Sequence, residues 1–241
     1  MLSLLAAPSF AAVTLLNHQA TGINIYGTQT TPSFNSSGAS LLVVAIAYNQ
    51  GCGLAFTDSL ANTWTALPPV VIDNNYPIGQ IWYAASPNVG SAQTITLTST
   101  SHCYADVFFT AWAGTSASPF DRQVLNWLNG VSSVTTGSIA PAANNELLVS
   151  FLSDDNNVSG AGTTGIGVSG GISLLDAVCE PLNNGPCGAF GYAIQTTATA
   201  INPTWVQSIS TAMSVGIAAF QMGTAAPVVP VRRRFIGGGG E

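Results

Sequence analysis

The sequence predicts an all-β protein, a single antiparallel β-sandwich of jelly-roll type with extended tails at both ends. The hydrophobic pattern has a period of two almost throughout, and residues 94–98 (TITLT) alternate as a half-buried strand should. Residues 41–48 (LLVVAIAY) form an uninterrupted apolar run, which is typical of a central strand covered on both faces. Clusters of Gly, Pro, Asn and Ser separate such segments at the spacing of a sandwich. A chain of 241 residues is long enough for one large domain of this kind.

In chain order, the pattern divides the protein into three parts. Residues 1–12 are an apolar N-terminal tail or signal remnant, residues 13–221 are the sandwich, and residues 222–241 are an extended tail rich in Pro, Arg and Gly. Within residues 121–128, Val124, Leu125 and Leu128 have a spacing that indicates a short helical turn. Besides the two segments above, the predicted strands cover residues 13–17, 69–73, 79–84, 105–113, 131–139, 146–153, 172–178, 188–195 and 213–221.

The two ends of the chain are weakly charged. Residues 1–12 (MLSLLAAPSFAA) are similar to the apolar part of a secretion signal without its positive start. The alternative is that they dock on a neighbouring subunit by strand addition. Residues 211–231 followed by three arginines have the outline of a membrane anchor, but Pro227 and Pro230 interrupt it. We therefore expect no membrane span, and a last core strand followed by an extended tail.

Four cysteines, an even number, predict two structural disulfides. Cys179 and Cys187 bracket a loop of turn-forming residues that a disulfide would staple. Cys52 and Cys103 each lie near the end of an apolar strand, where adjacent strands can bring them together. Four cysteines allow three pairings, so the sequence leaves the connectivity open. No CxxC spacing is present, which argues against zinc and favours an oxidising, extracellular location or a virion surface.

A weak internal repeat relates the two halves of the chain. Residues 41–43 (LLV) recur at 147–149, residues 83–84 (YA) recur at 192–193, and the segment from Val107 resembles the segment from Val215. The three offsets lie between 106 and 109 residues. Chance matching in a β-rich composition is the alternative, since such a period lies outside the usual repeat classes. A true repeat would indicate one sandwich built from two similar halves.

Several segments together resemble a known class of domain. In order these are residues 40–48 (SLLVVAIAY), 56–64 (FTDSLANTW), 81–84 (IWYA), 108–114 (FFTAWAG), 118–121 (SPFD) and 214–220 (SVGIAAF). They are similar to the jelly-roll, concanavalin A-like sandwich domains of bacterial extracellular proteins and phage structural proteins. The resemblance implies a fold and a surface setting rather than a reaction. We expect the stretch from Asp58 to Asn62 to be a turn closed by its own side-chain hydrogen bonds.

Charge and motif content argue against two functional classes. The net charge is −6, there is no lysine, and only 6% of residues are charged, so nothing neutralises a nucleic-acid backbone. Residues 167–171 (GVSGG) match the nucleophile-elbow pattern, but both histidines, His18 and His102, precede Ser169 and no helix is expected after it. So few ionisable groups leave little material for acid–base catalysis, and we expect a protein that is not an enzyme.

Oxygen ligands and glycosylation signals are weak. Asp154, Asp155 and Asn157 are the densest oxygen cluster and could contribute to a calcium site, with an ordinary solvated turn as the alternative. No other cofactor is expected. Asn35 and Asn157 each begin an Asn-X-Ser acceptor pattern, which is short enough to occur by chance.

Aromatic residues suggest one binding role. Tyr76, Trp127 and Trp205 lie in or beside predicted loops and could stack on sugar rings, although large aromatics are more often core residues.

These observations favour a non-enzymatic structural subunit. We expect copies of it to assemble through their tails in an extracellular filament, a surface layer or a virion. In that reading, Arg232–Arg234 pair with acidic groups of another copy, whereas a solvated tail is the alternative. The competing hypothesis is a monomeric carbohydrate-binding module that uses the loop aromatics.

Overall fold

The structure is a computed structural model, and it describes residues 12–49, 51–70, 77–155, 165–179 and 185–223. Within these ranges the protein is all-β and contains no helix. The strands are β1 (Thr14–Thr30), β2 (Leu41–Asn49), β3 (Ala55–Asp58), β4 (Thr65–Ala66), β5 (Pro77–Ala85), β6 (Ile95–Ala113), β7 (Thr115–Thr135), β8 (Glu146–Asp154), β9 (Gly167–Val168), β10 (Ser173–Cys179), β11 (Cys187–Gln195) and β12 (Thr204–Met222).

Two antiparallel sheets pack face to face as a sandwich, which confirms the predicted fold class and is compatible with a jelly-roll-like arrangement. The first sheet has the order β1-β6-β2-β5-β4, with β3 paired to β6. The second has the order β7-β12-β8-β11-β10, with β9 paired to β12. Each sheet is therefore built from one half of the chain, and the two orders are the same when β1–β6 are matched with β7–β12.

The match between the halves extends to the pairing of individual residues. Two pairs of equivalent partners in the first sheet recur in the second at the offsets found in the sequence. Val43 pairs with Tyr83 in the first sheet as Val149 pairs with Tyr192 in the second. In the same way, Leu41 pairs with Trp112 as Leu147 pairs with Phe220. The internal repeat is thus confirmed as two sheets of the same topology, joined into one sandwich.

The two central strands, β2 and β8, are buried on both faces, as the apolar runs predicted. Along β2, Val43 and Ala45 point into the space between the sheets, and Val44 and Ile46 point to the outer side. Loop segments carrying Phe34, Leu54 and Trp64 cover that outer side. Every position of a continuous apolar run is therefore removed from water, which is why such strands show no alternation.

Glycines let the sheets approach closely at their centre. An added Cβ at Gly79 in β5 would lie 1.9 Å from the ring of Phe151, and one at Gly216 would lie 2.5 Å from the same ring. Phe108 packs in the same way over Gly188. Gly79 and Gly188 occupy equivalent positions of β5 and β11, so both halves provide space for a phenylalanine of the opposite sheet.

The long strands differ from the predictions in their extent. The predicted helical turn at residues 121–128 is wrong, because these residues form the middle of β7, a strand of 21 residues paired to β12. Val124 and Leu125 pack into different clusters, as neighbours in a strand do. β7 borders its sheet, and its polar, partly exposed positions interrupt the alternation that identifies a strand.

The predicted tails fall almost wholly outside the described residues, which begin at Ala12 and end at Gly223. At the edge of the sandwich, β1 packs against β10, where His18 Nδ1 donates to Asp176 Oδ2 over 2.7 Å. This contact joins the two sheets between a first-half and a second-half strand.

Candidate functional site

Both predicted disulfides are present. Cys52 is bonded to Cys103, and Cys179 is bonded to Cys187. The first ties the segment after β2 to the middle of β6, and the second joins the last residue of β10 to the first residue of β11. Among described residues, no helix is long and apolar enough to cross a membrane.

Gly114 is the point where the two halves join, and both described ends of the chain contact it. It separates β6 from β7 and has a φ of +80°, a conformation that favours glycine. Its amide oxygen accepts a hydrogen bond from the Gly223 N–H at 2.8 Å. On the other side, an added Cβ would lie 2.3 Å from the carbonyl oxygen of Ala12. Residues 1–11 and 224–241 are therefore attached at the same corner of the sandwich.

Two adjoining cavities lie at this corner, which we call the terminal corner. One of about 360 Å³ is lined mainly by apolar side chains, with Val13, Ile194 and Met222 among them. The other, of about 560 Å³, is bordered by residues 142–145 and by Gln221 and Met222. The terminal corner thus combines apolar and amide surface beside the attachment points of both tails.

Two carboxylates hold the wall of the larger cavity. Glu146 Oε1 accepts a hydrogen bond from the Ala143 N–H at 2.8 Å, and Asp121 Oδ2 accepts one from the Ala142 N–H at 2.9 Å. Arg122 Nε also donates to Asp121 Oδ2, at 2.9 Å. The backbone at residues 142 and 143 is therefore held in place by hydrogen bonds to two carboxyl groups.

Burial raises the pKa of Glu146 above its ordinary value of 4.5. The nearby Asp121 carboxylate raises the pKa further, whereas the Ala143 N–H and the Arg122 guanidinium lower it. Glu146 Oε2 is buried without a hydrogen-bond partner, which agrees with the dominance of desolvation. The terminal corner therefore contains a carboxylate in an environment that disfavours its charge.

A second surface lies at the far end of β1, on a part of the first sheet formed by β1, β6 and β3. Buried Ile25 and Leu97 face the loops behind this part, and the alternate side chains point the other way, into solvent. Two rows of outward side chains cross the three strands, namely Thr28, Thr98 and Ala55, and Thr30, Thr96 and Thr57. We call this surface, with the adjoining Tyr26 and His102, the threonine face.

An irregular pairing places two rings beside these rows. The register of β1 and β6 shifts between Ile25 and Gly27, and Tyr26 is 81% exposed. The Tyr26 ring meets His102 edge-on, with centroids 6.2 Å apart, and His102 meets Tyr104 in the same way at 4.7 Å. His102 Nε2 donates to Asn24 Oδ1 at 2.6 Å, which fixes the imidazole. Such bulges commonly re-aim a side chain toward a function.

The Cys52–Cys103 disulfide and two serines anchor the bulge. Cys103 directly follows His102, and the Ser99 hydroxyl donates to the carbonyl oxygen of Cys52. The Ser101 hydroxyl donates to the carbonyl oxygen of Gly51 at 3.1 Å. The exposed rings are thus carried by a segment held in three places.

The predicted sugar-binding aromatics do not form a site in the described part of the chain. Trp205 is completely buried, and its Nε1 donates to Ser150 Oγ at 2.9 Å, so that prediction is wrong. Trp127 lies in β7 and is 38% exposed. Tyr76 lies outside the described residues. Of the two predicted aromatic residues that the structure describes, Trp127 is accessible to a ligand and Trp205 is not.

Two of the three residues of the predicted oxygen cluster lie in the described part of the chain. Asp154 is fully buried in β8, and the Asp155 N–H donates to the carbonyl oxygen of Ala212. Asp154 is therefore not an exposed ligand, and the calcium site stays a prediction. Burial raises the pKa of Asp155. Asn157 lies outside the described residues, within which no group of three or more His, Cys, Asp or Glu could hold a metal ion.

The remaining predicted positions are structural or untested. Asn35 is exposed, so its glycosylation stays a prediction, and Asn157 falls outside the described residues. The Asp58 carboxylate accepts hydrogen bonds from the backbone N–H groups of Leu60 and Asn62 and from Trp64 Nε1. Gln93 Nε2 also donates to it. The expected closed turn is therefore confirmed, and this carboxylate is occupied by local donors.

Sequence reasoning missed Tyr26, His102 and the terminal corner. The alternation of residues 94–98 predicted a half-buried strand, but its partners at residues 28–30 lie about seventy positions earlier in the chain. The meeting of both chain ends at Gly114 depends on sheet order, which has no local signal. No family model matches the chain, and no match was found among curated proteins or solved structures.

Proposed function

We propose that this protein is a non-enzymatic structural subunit that assembles with copies of itself through residues 1–12 and 222–241. The observation that carries the proposal is the attachment of both tails at one corner, beside two cavities. If fully extended, residues 224–241 would span at most about 60 Å, enough to reach the terminal corner of an adjacent copy. One copy can therefore offer tails and a receiving site in the same place.

The chemistry of the N-terminal tail is complementary to that of the terminal corner. Residues 1–11 are largely apolar, like the smaller cavity with Val13, Ile194 and Met222. Arg232–Arg234 are cationic, whereas the chain as a whole has a net charge of −6. We assign the N-terminal segment to the apolar cavity of a neighbour and the arginines to acidic groups of another copy.

The long border strands supply a further route to association. β1 and β7 have 17 and 21 residues, and each pairs with one strand of its sheet in the described ranges. Unpaired strand edges accept strands of other chains, and proteins that remain monomeric usually protect them with charges. β1 carries no Lys, Arg, Asp or Glu. A neighbour's extended segment could therefore add along such an edge.

The setting we propose is an extracellular filament, a surface layer or a virion. Two disulfides are consistent with a secreted protein. The low charge suits a subunit whose surface contacts other copies.

The test measures the oligomeric state of the full chain by light scattering, with negative-stain imaging of the same sample. We expect filaments or large particles from the full chain, and monomers after deletion of residues 1–11. Replacing Arg232, Arg233 and Arg234 by Ala is expected to weaken assembly, because it removes the cationic partners of acidic groups on another copy. Circular dichroism establishes that each variant is folded.

Tyr26→Ala is the matched control, since Tyr26 lies at the opposite end of β1 from the terminal corner. This variant should assemble as the full chain does. A full chain that is monomeric at all accessible concentrations would overturn the proposal. So would unchanged particles after removal of both tails.

A further inference from the structure

We infer that the threonine face binds a neutral polysaccharide. The inference is independent of the assembly proposed above, because it depends on the far end of β1 rather than on the terminal corner. Its starting point is the exposed ring of Tyr26, which is held beside His102 and next to two rows of threonine side chains.

The composition of the face selects an uncharged, hydroxylated ligand. Its two rows contain Thr28, Thr30, Thr57, Thr96, Thr98 and Ala55, and none of these side chains is ionisable. The hydroxyls of Thr28 and Thr98 lie 3.3 Å apart, and those of Thr30 and Thr96 lie 3.1 Å apart. A hydroxyl has one donor and two acceptor positions, so each pair retains capacity for a further partner. A charged polymer would find no counter-charge in these rows.

Tyr26 supplies the apolar part of the site. Its ring is 81% exposed, the largest value among the exposed large hydrophobic side chains of the described chain. An aromatic face in water is a platform for the apolar side of a sugar ring, while the polar edge of the sugar reaches neighbouring hydrogen-bonding groups. His102 lies beside this ring, and its hydrogen bond to Asn24 fixes the orientation of both polar groups.

The site is organised before a ligand arrives. The disulfide at Cys103 and the hydrogen bonds of Ser99 and Ser101 hold the bulge that carries His102. A prearranged surface loses less conformational entropy on binding than a mobile loop does. This smaller loss of entropy matters because a single stacking contact contributes only a small favourable free energy of binding.

The shape of the face favours a polymer over a single sugar. The rows lie across three adjacent strands, which are spaced about 4.8 Å apart, and successive outward residues along a strand are about 6.7 Å apart. Such a surface is flat, whereas small ligands are usually enclosed in clefts. An extended chain can contact the ring and both rows together, so several weak contacts add.

The experiment measures depletion of the protein from solution by insoluble cellulose and by insoluble chitin, two neutral polysaccharides. We expect the full chain to bind at least one of them. Tyr26→Ala should weaken that binding by about tenfold, because it removes the stacking ring. Thr28→Glu should also weaken it, since it places a charge in the neutral rows.

Trp127→Ala is the control, since Trp127 is an exposed aromatic residue of the other sheet. It should bind as the unaltered chain does, and deletion of residues 1–11 should also leave binding unchanged. Failure of the full chain to bind either polysaccharide would overturn the inference. Equal losses in Tyr26→Ala and Trp127→Ala would also overturn it. A change of oligomeric state in Tyr26→Ala without polysaccharide binding would instead identify the face as a contact between copies.

Discussion

The position of Glu146 in this sandwich changes the pKa of its side chain. Glu146 is buried at the start of β8. Together with Asp121 it accepts the hydrogen bonds that hold the backbone of residues 142 and 143 at the terminal corner. Its side chain accepts one backbone hydrogen bond and leaves Oε2 without a partner. Because water cannot solvate the charge, the pKa of Glu146 is higher in the folded than in the unfolded chain. The energetic consequence depends on pH.

Glu146→Gln is expected to raise the free energy of unfolding at neutral pH. The pKa of Glu146 is higher in the folded than in the unfolded chain, so the unfolded chain releases its proton first as pH rises. Stability therefore falls between the ordinary value of 4.5 and the raised folded value, and this loss persists above it. The glutamine has no proton to lose and keeps the acceptor for the Ala143 N–H.

Urea unfolding from about pH 4 to about pH 8 checks this expectation. The free energies of unfolding of the two proteins should differ least at the acidic end. The advantage of the variant should grow as the pH rises. Parallel stability curves would contradict a raised pKa for Glu146.

At the scale of elements, the two disulfides enclose segments of very different length. Cys52–Cys103 spans 51 residues and holds the bulge in β6, whereas Cys179–Cys187 spans 8 residues and joins the adjoining ends of β10 and β11. Crosslinks stabilise partly by restricting the unfolded chain, and the restriction grows with loop length. The two bonds therefore contribute unequally, although both join neighbouring strands or segments of one sheet.

Replacing Cys52 and Cys103 by Ser is expected to cost about 4 kcal/mol, and replacing Cys179 and Cys187 by Ser about 2.5 kcal/mol. The comparison uses guanidinium unfolding without reductant, and each double variant is the control for the other. An equal cost, or the reverse order, would contradict the loop-length argument.

Elements were predictable where burial is uniform. β2 and β8 are covered on both faces, so their apolar runs identified them nearly to the residue. β7 was divided into a helical turn and a strand because its exposure changes along its length. β6 was divided at residues 99–103, where the bulge breaks its alternation. The threonine face and the terminal corner could not be predicted, because both arise from pairings between distant segments.

At the scale of the whole molecule, the position of Gly114 makes the order of the two halves exchangeable. The described chain begins beside this residue, passes through it at the midpoint and ends beside it. Each half forms a complete sheet, and the halves meet through the apolar cluster that contains Phe108, Phe151 and Phe190. Connectivity at this point therefore contributes little to the packing of the sheets.

A permuted chain that starts at Thr115, runs to residue 223, continues through a short Gly-Ser linker to residue 12 and ends at Gly114 should fold into the same sandwich. We expect its free energy of unfolding to lie within about 2 kcal/mol of that of residues 12–223 in their natural order, because the strand pairs are unchanged. Circular dichroism and urea unfolding compare the two proteins. A permuted chain without cooperative unfolding would show that the peptide link at Gly114 is needed for the fold.

The matched registers of the two sheets have a consequence for how such a chain can originate. One half alone would expose the face that contains Leu41, Val43 and Phe108, and a second copy of the same half would cover it. An ancestral half-length polypeptide would then be an isologous homodimer, with one sheet per subunit. Gene duplication and fusion would turn that dimer into the present single chain. The irregular pairing of β6 recurs in β12 between Val206 and Thr211, so the ancestral half would already have carried it. After fusion, one copy could acquire Tyr26 beside this irregular pairing while the other copy did not.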